Sequence, residues 1–131
     1  MARVLLIEDG VVFRDLLAEA LRRSGFEVKT AGDGEAGWGM LDAVQPDLIV
    51  LDLAMPRLDG ISFLRRLRAQ DKWSAVQVLV VSAHSSKAED ALRYGAQGYL
   101  IKSRISLTEV TETARNLVSV AESKRKKSTA A

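Results

Sequence analysis

Val4-Leu5-Leu6-Ile7, Leu48-Ile49-Val50-Leu51 and Val78-Leu79-Val80-Val81 are short runs of consecutive apolar residues without the polar alternation of a strand that has one wet face. Strands of this kind must be covered on both sides, which calls for a largely parallel sheet between two layers of helices. Tyr99-Leu100-Ile101 is a shorter run of the same kind. Each run ends in a polar residue: Glu8-Asp9, Asp52, Ser82 and Lys102.

Helical periods separate the runs. Phe13, Leu16, Leu17, Ala20 and Leu21 form a stripe closed by Ser24-Gly25, after which Phe26 to Thr30 alternates like a half-buried strand. A second helix is expected over Gly34 to Val44, weakened by Gly37 and Gly39, each costing about 1 kcal/mol relative to alanine. Ile61, Leu64 and Leu67 mark a third helix, Ala88, Ala91 and Leu92 a short fourth, and Leu107, Val110, Ala114, Leu117 and Val118 a fifth. Right-handed crossovers then favour an α/β doubly wound, flavodoxin-like fold, a parallel five-stranded sheet in the order 2-1-3-4-5. Its switch point lies between the first and third strands, where Glu8-Asp9 and Asp52 would face each other.

The polar residues at those strand ends complement one another. Magnesium takes oxygen ligands, keeps several waters and is typically held by one or two carboxylates plus phosphate oxygens. Asp9 and Asp52 can supply the carboxylates, and Glu8, one residue earlier, would hold a coordinated water or share the metal. A carboxylate can attack phosphorus when a cation offsets the repulsion between two anions, which makes Asp52 the candidate nucleophile. Lys102 would neutralise a phosphoryl oxygen, and the Ser82 hydroxyl could hydrogen-bond to another. Singly, each of these residues is an ordinary choice for a turn, a cap or a surface. It is their joint arrival at the same ends of one sheet that points to phosphoryl chemistry.

Composition narrows the setting. A chain of 131 residues suits one domain, and the absence of cysteine excludes disulfides, thiolate zinc sites and a thiol nucleophile. No apolar run approaches the ~20 residues of a bilayer span, and the start does not read as a signal peptide, so a cytoplasmic location without membrane contact is expected. The basic pI has a local source: residues 1–123 carry 15 basic against 17 acidic groups, and the excess sits in Lys124-Arg125-Lys126-Lys127. The expected organisation is therefore one domain over 1–123 and a basic flexible tail over 124–131, with no direct nucleic-acid binding.

Val4 to Asp9, Asp52-Leu53-Ala54-Met55-Pro56-Arg57-Leu58-Asp59-Gly60, Val81-Ser82-Ala83 and Gly95 to Lys102 together resemble the receiver domain of two-component response regulators, of the chemotaxis-receiver type. The likeness runs from residue 3 to about 120. It implies that a histidine kinase or phosphotransfer protein donates a phosphoryl group to Asp52. Magnesium, or manganese in its place, would be held by Asp9, Asp52 and the Ala54 backbone carbonyl, with Glu8 beside them. It further implies that Ser82 and Tyr99 act as a switch that repacks the face made by the fourth helix, fifth strand and fifth helix, where an output partner binds. Ala54 and His84 would flank the path of the hydrolytic water. The resemblance further implies a receiver that catalyses only its own phosphorylation and dephosphorylation and is not otherwise an enzyme.

Two positions depart from the family pattern. Ser103 follows Lys102 where proline commonly closes a cis peptide; a cis bond before a non-proline costs about 2.5–4 kcal/mol, leaving a trans or a strained loop as the alternatives. Gly10 replaces a larger residue and is expected to loosen the loop or open the metal site. A phosphatase of the haloacid dehalogenase type would need a second aspartate where Ala54 stands, and no glycine-rich nucleotide-binding motif follows the first strand. The length favours a stand-alone receiver. The alternatives are an excerpt of a DNA-binding regulator or hybrid kinase, or an interaction module independent of phosphorylation.

Overall fold

The computed structural model describes the backbone of residues 1–130 and the side chains of residues 1–124. Apart from Lys124, the expected basic tail lies outside the described side chains. Strands and helices alternate as β1 (Arg3–Ile7), α1 (Val11–Arg23), β2 (Glu27–Ala31), α2 (Gly34–Val44), β3 (Leu48–Leu51), α3 (Gly60–Arg68), β4 (Gln77–Ser82), α4 (Ala88–Arg93), β5 (Gly98–Ile101) and α5 (Leu107–Ala130). Single 3-10 turns at Asp71–Trp73 and Lys102–Arg104 precede β4 and follow β5. The five strands are all parallel, in the order β2-β1-β3-β4-β5.

Alternation within the apolar runs divides one sheet between two cores. Leu5, Ile7, Ile49, Leu51, Val78 and Val80 meet Leu41 of α2 and Phe63, Leu64 and Leu67 of α3. Val4, Leu6, Leu48, Val50, Leu79 and Val81 meet Leu17 and Leu21 of α1 and Val110 and Ala114 of α5. Full burial of a Leu, Ile or Val side chain contributes about 1.5–3 kcal/mol, so the sheet's two faces supply the main driving force. Asp33 caps α2, its Oδ1 accepting from the Ala36 N–H at 2.8 Å. Asp59 caps α3 through the Ser62 N–H at 2.9 Å. Both caps close loops at the carboxyl ends of the strands. No helix of the described residues is long and apolar enough to cross a membrane.

Some apolar positions read as core face solvent instead. Leu16, Leu92 and Leu107 are 48%, 51% and 39% exposed. α1 meets the sheet through Leu17, Ala18 and Leu21, a narrower stripe than the apolar pattern, and the short α4 buries only Ala91. Phe26 is buried ahead of β2 and does not belong to the strand.

The two α2 glycines separate sharply. A Cβ on Gly37 would stand 2.5 Å from Ile7 Cδ1 and 2.8 Å from its Cγ1, whereas one on Gly39 would meet nothing within 4 Å. Gly37 is therefore the site where α2 closes on β1. Gly39→Ala is expected to stabilise the fold by about 1 kcal/mol, and Gly37→Ala to destabilise it by about 1–2 kcal/mol through overpacking. Equal shifts of the two variants in urea denaturation would contradict this assignment.

Candidate functional site

The register sets the acids side by side. Ile7 pairs with Leu51 and Leu51 with Val80, so the chain leaves β1 and β3 at one level, as Glu8 and Asp52. Each still continues the ladder by one bond: the Glu8 N–H donates to the Ala31 carbonyl at 3.1 Å and the Asp52 N–H to the Ile7 carbonyl at 3.0 Å. Beyond Asp52 the chain turns through 53–59, and the Gly60 N–H returns to the Leu53 carbonyl at 2.9 Å. A side chain on Gly60 would meet the Asp52 carbonyl oxygen and stand 2.6 Å from Leu53 Cα, so only glycine lets α3 start this close to the acid.

Glu8 and Asp52 are buried, at 2% and 5% exposure, and Asp9 is exposed at the mouth. One carboxylate oxygen from each of the three lies within 4.8 Å of the others. Lys102 donates to Glu8 Oε1 and stands 3.6 Å from Asp52 Oδ2. Asp52 Oδ1 accepts from the Leu53 N–H at 2.8 Å. Burial, reinforced by a hydrogen bond to Glu8 and by its charge, pushes the Asp52 carboxyl up from 3.8 to about 7, against the pull of Lys102 and the Leu53 N–H. Among the described residues one ammonium thus serves two buried carboxyls, and acidic groups outnumber it in the cluster. Its all-oxygen donor set is the kind a hard divalent cation takes.

Ser82 ends β4 at 3% exposure, and its Oγ accepts from the His84 N–H at 3.4 Å. Ala54, Ser82 and His84 line one cleft of about 410 Å³ with Leu53, Ile61 and Lys87. Tyr99 on β5 donates its hydroxyl to the His84 carbonyl, tying the edge strand to the β4–α4 loop. All peptide bonds of the described residues are trans, so the loop after Lys102 takes the trans alternative, and its ammonium reaches the acids from a 3-10 turn. At Gly10 a Cβ would come no nearer than 4.0 Å to Glu8, so the site has room for the side chain that Gly10 lacks.

Two neighbours escape the sequence reading. The Lys102 ammonium lies 4.7 Å from the centroid of the Phe13 ring, and Arg14 Nη1 donates to the Glu8 carbonyl at 3.1 Å. Both sit in the first turn of α1. The signal was positional, since the helix that follows the acid pair must start over the strand ends.

The family model of the response regulator receiver domain matches residues 4–115. The chain belongs to this family. The receiver is 39% identical over 123 residues to a protein-glutamate methylesterase/protein-glutamine glutaminase of Anaeromyxobacter dehalogenans, covering 90% of this chain and 34% of that protein. It is 43% identical over 106 residues to the KDP operon transcriptional regulatory protein KdpE of Escherichia coli, covering 78% of this chain and 45% of that one. The receiver thus spans about a third to under a half of such relatives. Chemotaxis protein CheY4 of Vibrio cholerae superposes with a TM-score of 0.83 at 27% identity, over 89% of this chain and 98% of its own. The receiver domain of the sensor histidine kinase PA1611 of Pseudomonas aeruginosa, solved with magnesium in its active-site cleft, has a TM-score of 0.82 at 27% identity, over 90% of this chain and 98% of its own. The receiver is a CheY-like signalling module of two-component systems.

Proposed function

We propose that this receiver takes a phosphoryl group onto Asp52 from the phosphohistidine of a histidine kinase or phosphotransfer protein. The observation that carries the reading is the placement of Asp52: buried at the end of β3, beside Glu8 and Asp9 and 3.6 Å from the Lys102 ammonium. A carboxylate oxygen of Asp52 attacks phosphorus, the P–N bond to the donor imidazole breaks, and the imidazole leaves as the neutral ring after taking a proton from solvent.

Asp9, Asp52 and the Ala54 backbone carbonyl would hold Mg2+, or Mn2+ in its place, which supplies the positive charge that lets two anions meet. Glu8 would act through a metal-bound water, because its Oε1 is engaged by Lys102 and its Oε2 accepts from the Gly10 N–H at 3.3 Å. Lys102 exchanges Glu8 for a phosphoryl oxygen, and Ser82 donates its hydroxyl to another. The Tyr99 bond to the His84 carbonyl makes the β4–α4 loop and β5 move together, so a shift of Ser82 toward the phosphoryl group repacks the α4-β5-α5 face for an output partner. Ala54 and His84, on the cleft beside Asp52, flank the approach of the hydrolytic water. With alanine two residues after the acceptor there is no second acid to turn over external phosphoesters, and catalysis is confined to the chain's own phosphorylation and dephosphorylation.

Incubation with acetyl phosphate and Mg2+ is expected to add one phosphoryl group by intact mass, none in EDTA, with borohydride reduction locating it at Asp52. No addition while Mg2+ binding is intact would replace the reading with a phosphorylation-independent interaction module.

A further inference from the structure

We infer that Phe13 is a positioning residue for Lys102, holding its ammonium over the Glu8–Asp52 pair through the face of the aromatic ring; the inference rests on the phosphoacceptor reading above. Lys102 is a long side chain on a weakly fixed base. It opens a single 3-10 turn, Lys102–Arg104, with no side-chain cap, and Ser103 and Arg104 are exposed. The turn itself has neither a proline nor a buried anchor in those two residues to fix the ammonium laterally.

The ammonium has three described neighbours: Glu8 Oε1, Asp52 Oδ2 at 3.6 Å and the Phe13 ring centroid at 4.7 Å. Two of these are acids whose own partners change when a cation or a phosphoryl group arrives. The ring is the neutral one. Its face attracts the cation electrostatically within about 6 Å and offers no oxygen to compete with a phosphoryl oxygen for the N–H donors. It therefore persists as a guide while Lys102 exchanges Glu8 for the incoming group.

Phe13 is itself well anchored. It is half-buried against the core shared by α1, α5 and the sheet, whereas Val11 and Val12 of the same turn are 58% and 74% exposed. Of these three apolar side chains in the first turn of α1, Phe13 is the one aimed at the site.

The test compares Phe13→Leu, which keeps apolar bulk and removes the ring, with Phe13→Tyr, which keeps the ring. The readouts are the maximal rate of Asp52 phosphorylation at saturating acetyl phosphate and the Mg2+ dissociation constant by calorimetry. Phe13→Leu is expected to lose about three- to tenfold in maximal rate, with Mg2+ affinity unchanged and Phe13→Tyr at the unsubstituted rate. Equal rates for Leu and Phe overturn the inference. So does an equal loss in Leu and Tyr, which would show a fit of bulk, or a change in Mg2+ affinity that tracks the rate. An unsubstituted chain that takes no phosphoryl group removes the phosphoacceptor reading and this inference with it, an outcome separate from the other three.

Discussion

In metal-free buffer at pH 8, Asp52→Asn is expected to unfold at a higher temperature than the unsubstituted chain, and that advantage is expected to vanish by about pH 4. Burial and Glu8 raise the Asp52 carboxyl from 3.8 to about 7 in the folded protein, while the unfolded chain releases the proton near the ordinary value. Between those limits the folded state binds more protons than the unfolded state, so stability falls as pH rises. The penalty is absent below about pH 4, grows through the interval and is complete above about pH 7. Its size is on the order of 2–4 kcal/mol, or roughly 7–15 °C for a chain of this length. Asparagine can still accept the Leu53 N–H bond and carries no charge to bury. Thermal unfolding of both proteins from pH 4 to 8 checks this, and a variant no more stable at pH 8 would show that Asp52 ionises there without strain. Saturating Mg2+ is expected to raise the unsubstituted chain's melting temperature and to move the variant's much less, because the bound cation relieves the same uncompensated charge.

Lys102→Ala is expected to slow phosphorylation from acetyl phosphate by about 100-fold or more, the usual consequence of removing one charge-stabilising donor from a buried site. It also strips the cation from Glu8, which is 2% exposed, and leaves the acid cluster with no described ammonium near it. Breaking a buried pair by removing one partner costs about 3–5 kcal/mol; Lys102 is 24% exposed on its side chain, so a loss of about 2–3 kcal/mol at pH 8 is expected here. The loss should shrink as pH falls, because Asp52, whose carboxyl is raised to about 7, can then take up a proton. Mg2+ binding should survive or tighten, since a competing positive charge has gone. Rate and stability are thus predicted to separate: saturating Mg2+ restores much of the melting temperature and little of the rate. A variant that phosphorylates normally in Mg2+ would remove Lys102 from the chemistry and leave it a structural counter-ion.

The architecture was largely legible because it follows from local regularities. Unbroken apolar runs require cover on both faces, and the helical stripes between them supply it, so element order, sheet order and even the bounds of α2 are readable from pattern. The acids were legible for the same reason: each follows directly on a strand, and parallel strands of similar length end together. What the pattern overstated was the breadth of the apolar faces. Leu16, Leu92 and Leu107 satisfy a helical period yet face solvent, because α1 meets the sheet only through Leu17, Ala18 and Leu21, α4 buries only Ala91, and Leu107 opens α5 a turn ahead of the buried Val110. The Lys102–Ser103 loop was open between two states, and the trans form reaches the acids without a proline.

The sequence by itself determined the fold class, the strand order and the set of groups that meet at the carboxyl ends of the sheet, since these depend on periodicity and on which residue follows each strand. Only the tertiary structure decided how those groups are shared. Lys102 is held by Glu8 and stands off Asp52, Tyr99 reaches across to the His84 carbonyl, and Phe13 lies against the ammonium. It also separated Gly37, pressed against Ile7, from Gly39, where a side chain would meet nothing within 4 Å. The physical reason is the same in each case. Whether a residue joins a strand or a helix is settled by its neighbours in the chain, whereas a side chain's partner and its charge state are settled by distances between elements far apart in sequence, through packing and burial that no local pattern encodes.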